Sequence, residues 1–252
     1  MPSYNTEAIS LRLQPFGEAG GLALLFTRER GRITALCQGI RKMHSRLASA
    51  VQPGTYSVVS LAEGARRDIL TQAEVKDGFP EVRAELPRLG AALYLLDLLA
   101  GASATGQREE RLFDLALEAL STLKKHPHPL AVVTAFELCL LEIHGTPVSL
   151  DHCAVCGSEA LGDEWLVSVT GGGRVCSRCR ANARPVAHLT AEAGKCLLAF
   201  RGKRVGSPPE MPARAAREVR GFLSRFIEYH LGQDFKSRDF MNSVLLPRSG
   251  KA

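Results

Sequence analysis

In the first 78 residues apolar and polar positions alternate in short runs, and from Phe79-Pro80 onward apolar residues recur every three or four positions. Alternation sends successive side chains to opposite faces of a strand, whereas the longer period lines one face of a helix. Ile9, Leu11 and Leu13 alternate with polar neighbours, and the spans 21–27, 32–37, 55–61 and 69–75 are further short strand patterns. Turn residues bound them: Pro15 and Gly17, Gly31, Gly39, Pro53 and Gly54, Gly64, and Gly78. Five strands in so short a span predict a small barrel.

The helical stretch carries three apolar stripes. Leu89, Leu93, Leu96 and Leu99 or Ala100 form the first; Leu112, Leu115, Ala119 and Leu123 form the second, stopped by His126-Pro127. Val132, Val133, Phe136, Leu140 and Ile143 form the third, stopped by Gly145. The run Gly101–Gly106 is a connector. Two more helices are predicted beyond residue 189. One starts at Thr190, an N-cap, and runs through Leu197 and Phe200. The other runs from about Pro212 to Leu231, with Val219, Phe222, Leu223, Phe226 and Tyr229 on one face and Arg214, Arg217 and Arg225 on the other. The last dozen residues read as loosely ordered.

Between the helical stretches stand Cys153-Ala-Val-Cys156 and Cys176-Ser-Arg-Cys179, a C-x2-C…C-x2-C quartet whose spacing fits a four-cysteine zinc site. Two thiolates three positions apart in a tight turn reach one ion, and two such turns complete a tetrahedron. Redox pairing and disulfides are the competing readings. Two copies favour metal over a thioredoxin-like pair, and the start Met1-Pro2-Ser3-Tyr4-Asn5 lacks the pattern of a secretory signal. Four sulfurs leave zinc no open position for water, so the expected role of Cys153, Cys156, Cys176 and Cys179 is structural. Residues 165–169 and the Gly171-Gly172-Gly173 turn predict a hairpin between the two pairs. Cys139 and Cys196 lie in apolar helical stretches and read as buried thiols.

The 252 residues are 45% hydrophobic and 23% charged, and no apolar run reaches the length of a membrane span. The expected setting is cytoplasmic. Net charge is +6, and it is unevenly spread. Arg28, Arg30, Arg32, Arg41, Lys42 and Arg46 form one basic cluster, and residues 174–225 hold a second that includes Arg201, Lys203, Arg204, Arg214 and Arg217. Two separate basic regions point to a polyanion, with nucleic acid first. An OB barrel, which binds nucleic acid with its strands and loops, fits the first 79 residues, as does an SH3-like barrel by spacing alone. Phe16, Phe26 and Tyr56 are the aromatic candidates for base stacking. No Walker A motif, G-x-S-x-G elbow or paired acidic metal motif occurs, which argues against ATP hydrolysis and a hydrolase.

Ordered motifs add a resemblance. Pro15-Phe16-Gly17-Glu18, the run Leu24–Gly31, Gly39-Ile40-Arg41-Lys42, Gln52-Pro53, the cysteine quartet, Tyr229-His230-Leu231-Gly232 and Lys236-Ser237 resemble, in that order, the RecO family of bacterial recombination mediators. The resemblance implies an α+β multidomain chain: an OB-like DNA-binding barrel at 1–79, a helical domain at 80–148 and 183–241, a zinc-ribbon-like insert at 149–182 and a tail at 242–252. It implies a non-enzymatic protein that binds single- and double-stranded DNA, anneals complementary strands, and works with RecR and single-strand DNA-binding protein to help RecA onto DNA near the nucleoid. The competing expectation is a zinc-ribbon adaptor that binds proteins, with incidental basic charge.

Overall fold

The computed structural model describes residues 2–40, 45, 47–159 and 161–246. Two compact units divide the chain, Met1–Lys124 and Lys125–Ala252.

The first unit begins with five strands: β1 (Ser3–Phe16), β2 (Gly20–Thr27), β3 (Gly31–Cys37), β4 (Tyr56–Ala62) and β5 (Asp68–Asp77). They form a closed barrel in the order β1-β2-β3-β5-β4. Closure depends on β1, which pairs through Ser3–Ile9 with β4 and through Ala8–Phe16 with β2. The β1–β2 register shifts between Ser10 and Arg12, just past the stretch paired with β4; such a bulge bends and twists a strand. The alternation expected of Ile9, Leu11 and Leu13 is interrupted there, and Ala8 to Leu11 are all buried. Ala8, Ala23, Leu25, Ala35, Cys37, Val59, Leu61 and Leu70 fill the barrel.

Three helices follow: α1 (Pro80–Ala84), α2 (Leu86–Ala102) and α3 (Glu110–Leu123). The first apolar stripe understates α2. Gly90, Ala91, Tyr94, Leu95, Leu96, Leu98 and Leu99 are all buried, so the helix is covered on nearly every side. The helix α3 keeps one apolar face. Its Phe113 meets Phe26 at 5.8 Å and Tyr56 at 6.4 Å between ring centroids, which seats it against the barrel.

The second unit contains α4 (Pro129–Ile143), strands β6 (Trp165–Ser168), β7 (Gly173–Arg174) and β8 (Val186–Leu189), and helices α5 (Ala191–Ala199), α6 (Ala213–Leu231) and α7 (Lys236–Leu245). The Thr190 hydroxyl accepts from the Ala193 amide at 3.2 Å, the N-cap expected for α5. Gly232 ends α6 with φ 67°, the left-handed stop that glycine adopts freely.

Three details depart from the sequence reading. The hairpin β6–β7 gains a third strand, because β8 pairs with β6 on its other edge. Residues 236–245 form a helix, anchored by the buried Met241, where loose order was expected from residue 241. Tyr229 is 57% exposed and not on the buried face of α6, which consists of Val219, Phe222, Leu223, Phe226 and Ile227 among others. Among the described residues no helix is long and apolar enough to cross a membrane.

Candidate metal centre and nucleic-acid interface

Two knuckles bring the four cysteines together. In the first, the Gly157 amide donates to the Cys153 carbonyl at 2.8 Å, and Gly157 takes φ 71° to close the turn. In the second, Cys176 starts a single 3-10 turn over Ser177–Cys179, and the Cys179 amide donates to the Cys176 carbonyl at 3.1 Å. Backbone bonds tie the knuckles to each other: the Ala154 amide donates to the Arg174 carbonyl and the Arg174 amide to the Ser149 carbonyl. That contact requires Gly173, since a Cβ there would lie 2.1 Å from the Ser149 carbonyl oxygen.

The sulfurs of Cys153, Cys156, Cys176 and Cys179 all lie within 4.8 Å of one another, with Cys156 Sγ and Cys176 Sγ 3.9 Å apart. A zinc tetrahedron with about 2.3 Å bonds has edges of about 3.8 Å, so the set fits that ion. The spacing is far beyond a disulfide bond, and all four are free thiols. Cys153 and Cys176 are buried beside Leu161, Leu166, Val175 and Ala183, while Cys156 is exposed. Burial pushes the Cys153 thiol up, but amide donors from Cys176, Cys156 and Val155 outweigh it and bring it down to about 6. The Cys179 amide likewise holds Cys176 below the usual thiol range. Cys179 is pushed up to about 12, chiefly by its hydrogen bond with Cys156. Thiolate is thus favoured where the backbone donors converge, which suits a cation.

Of the N-terminal basic residues, Arg28, Arg30 and Arg32 are occupied by the protein itself. Arg28 pairs with Glu7 and with Asp114 (2.7 Å), and its guanidinium lies over Phe113 at 4.6 Å. Arg30 pairs with Glu63 at 2.7 Å and lies over the Tyr4 ring at 3.6 Å. Arg32 donates to the Ala100 carbonyl and to Thr105 Oγ1. Arg41, Lys42 and Arg46 lie outside the described residues. Of the stacking candidates, Phe26 is fully buried, Tyr56 donates its hydroxyl proton to Glu7, and Phe16 is 47% exposed.

In the second basic stretch, Arg201, Lys203, Arg204, Arg214 and Arg217 are exposed, on the α5–α6 connection and the first turns of α6. Arg201 pairs with Asp151 at 2.8 Å. Two other arginines of this stretch are internal. Arg174 lies over Trp165 at 3.8 Å and donates to the Gly162 carbonyl. Arg220 is 2% exposed and pairs with the fully buried Glu137 of α4. The basic clusters read from sequence omit Arg66 and Arg67, an exposed pair on the β4–β5 connection. Their signal is a charged doublet in the turn between two strand patterns.

A five-stranded closed barrel followed by helices and a four-thiolate knuckle pair defines a class that comparison with known proteins makes specific: the chain falls among DNA repair and recombination proteins. Residues 1–79 match the model "Recombination protein O N terminal", and residues 83–239 match "Recombination protein O C terminal". The chain belongs to the RecO family. It is 34% identical to the DNA repair protein RecO of Frankia casuarinae over 96% of this chain and 99% of that protein. Similarity extends to the DNA repair protein RecO of Desulforamulus reducens (30% identity; 100% and 98% covered) and of Myxococcus xanthus (34%; 97% and 99%).

Proposed function

We propose that this chain is a non-enzymatic DNA-handling protein. Its N-terminal barrel is of the OB type, it binds single- and double-stranded DNA, and it anneals complementary strands. With RecR and single-strand DNA-binding protein it helps load RecA. The observation that carries the reading is the match of both family models to nearly the whole chain, joined to a barrel whose strand order closes as β1-β2-β3-β5-β4.

The physics is electrostatic. Cationic side chains displace condensed counterions from phosphates, so affinity is high at low salt and falls steeply as salt rises. Annealing breaks and makes no covalent bond. Offsetting the repulsion between two phosphate chains raises their encounter rate. Lys203, Arg204 and Arg214 are suited to this because they are exposed and, among the described residues, have no ion pair. Arg201 and Arg217 lie beside them, and Arg41, Lys42 and Arg46 are the corresponding contacts proposed for the N-terminal half. Arg32, whose partners are neutral oxygens, adds positive potential at the β2–β3 turn, whereas Arg28 and Arg30 are offset by Glu7, Asp114 and Glu63.

The quartet Cys153, Cys156, Cys176 and Cys179 holds one structural zinc in a zinc-ribbon-like module. Zinc would fix two knuckles that otherwise share only a few backbone bonds and a small apolar cluster.

Binding of bare labelled oligonucleotides across a salt series tests the DNA reading. A log–log slope of several units supports it. No binding at low salt would replace it with the protein-binding adaptor.

A further inference from the structure

One sulfur of the quartet differs from the other three in its access to solvent. Among the described residues Cys156 is the only exposed cysteine, and its neighbours Val155 and Gly157 are exposed with it. Cys153 and Cys176 are buried among Leu161, Leu166, Val175 and Ala183, and Cys179 is half-buried. The asymmetry comes from how the first knuckle is held. At its inner end the Cys153 amide donates to the Ser158 carbonyl at 2.8 Å and the Ala154 amide to the Arg174 carbonyl at 2.8 Å. The turn closed by Gly157 then carries Cys156 outward.

Oxidation of a cysteine follows thiolate character and exposure. Metal ligation keeps all four sulfurs as thiolates, so access decides which is attacked first. Cys156 also has a second sulfur within reach, since Cys176 Sγ lies 3.9 Å from its own. A disulfide bond is about 2.05 Å long, so the pair must close by about 1.9 Å, a distance within the swing of one side-chain rotamer change. The exposed knuckle tip leaves Cys156 room for that swing, whereas Cys153 is packed on all sides.

We propose, resting on the zinc reading above, that Cys156 is the site at which hydrogen peroxide oxidises this chain, and that the disulfide it then forms with Cys176 releases the metal. The Cys156 thiolate attacks one peroxide oxygen; the O–O bond breaks, hydroxide leaves, and Cys156 becomes a sulfenic acid. The Cys176 thiolate attacks that sulfur, the S–S bond forms, and a second hydroxide leaves. Two thiolates lose two electrons in all, peroxide gains them, and two protons from solvent turn the hydroxides into water. The disulfide removes two of the four ligands, and the remaining pair does not make a closed tetrahedral site. The knuckles then keep only their backbone bonds. Arg174, whose backbone joins both Ser149 and Ala154, lies over Trp165 at 3.8 Å, so Trp165 emission reports the loosening. A thiol reductant with added zinc reverses the change, because a disulfide is a reversible product.

The test treats the full zinc-loaded chain, its metal content measured beforehand, with hydrogen peroxide in the absence of reductant. A chromogenic zinc chelator follows release, and tryptic maps at partial conversion locate the first disulfide. Arg178 lies between Cys176 and Cys179, so trypsin puts these two sulfurs on separate peptides. Zinc and a Cys156–Cys176 disulfide appear together, Trp165 emission shifts with them, and dithiothreitol plus zinc restores the starting state. Cys156→His keeps zinc, since imidazole completes a Cys3His site, and slows release at least about tenfold. Cys179→His keeps both reacting sulfurs and releases zinc within about twofold of the wild-type rate. Should either variant fail to hold zinc, the wild-type maps decide alone. A first disulfide that omits Cys156, or zinc retained while added glutathione is oxidised, overturns the proposal and leaves the structural zinc standing. If the chain binds no zinc at all, both readings fall.

Discussion

Arg220 shows what a count of basic residues hides. It lies in the basic stretch of the sequence, yet it and Glu137 are 2% and 0% exposed and pair with each other. Glu137→Gln keeps the shape of the side chain but removes the negative charge that pairs with Arg220 in the core. Removing one partner of a buried pair costs about 3–5 kcal/mol, whereas replacing both with apolar residues of similar volume is neutral or stabilising. The unit holding them is about 130 residues, for which 1 kcal/mol moves the melting point by about 4 °C. The expected loss for Glu137→Gln is therefore roughly 12–20 °C. The chain's single tryptophan, Trp165, lies in the same unit, so its fluorescence reports this transition. The double variant Glu137→Leu/Arg220→Met should melt within a few degrees of wild type. A loss under about 4 °C for Glu137→Gln, or a double variant as unstable as the single one, refutes the reasoning.

Further outcomes follow from other sites. Cys176→Ser should take zinc content from about one per chain to none and loosen the packing around Trp165, as should a strong chelator; full metal content with an unchanged melt contradicts the structural-zinc account. Gly194→Ala puts a Cβ 1.9 Å from Trp165 Cδ2, so it should cost about 1–3 kcal/mol or more and shift Trp165 emission, read in a urea titration. The Glu7 carboxyl is held below the usual range by the Tyr56 hydrogen bond first and also by Arg28, despite burial. Its stabilisation should be present above about pH 4.3 and fade as pH falls through the lowered folded value, so Glu7→Gln should flatten the acid limb of stability. Burial and Glu7 push Tyr56 up to about 12. That contribution holds below about pH 10 and fades as pH climbs through 12, and Tyr56→Phe should remove it from the alkaline limb of the same titration.

Local chemistry made much of this molecule readable in its sequence. Alternation bounded by glycine and proline located five strands, the Thr190 cap marked the start of α5, and the cysteine spacing located four sulfurs that the fold gathers. What the sequence withheld depends on distant partners. The parallel β3–β5 pairing that helps close the barrel leaves no local mark, and β8 is only four residues long. The helix α7 is polar over most of its surface, so a single buried Met241 is a weak signal. Arg28 reads as a free cation until Glu7 and Asp114, 21 and 86 residues away in sequence, come to meet it. Tyr229 follows the apolar spacing of α6 but falls at its end, beyond the covered part of that face.

The central claim is that this chain brings DNA strands together by charge and surface alone. The most direct measurement mixes the protein with two complementary labelled oligonucleotides, without nucleotide or magnesium, and follows duplex formation across a salt series. Annealing faster than the protein-free rate, fading as salt rises, is the expected result. No acceleration and no oligonucleotide binding at the lowest salt would contradict the claim.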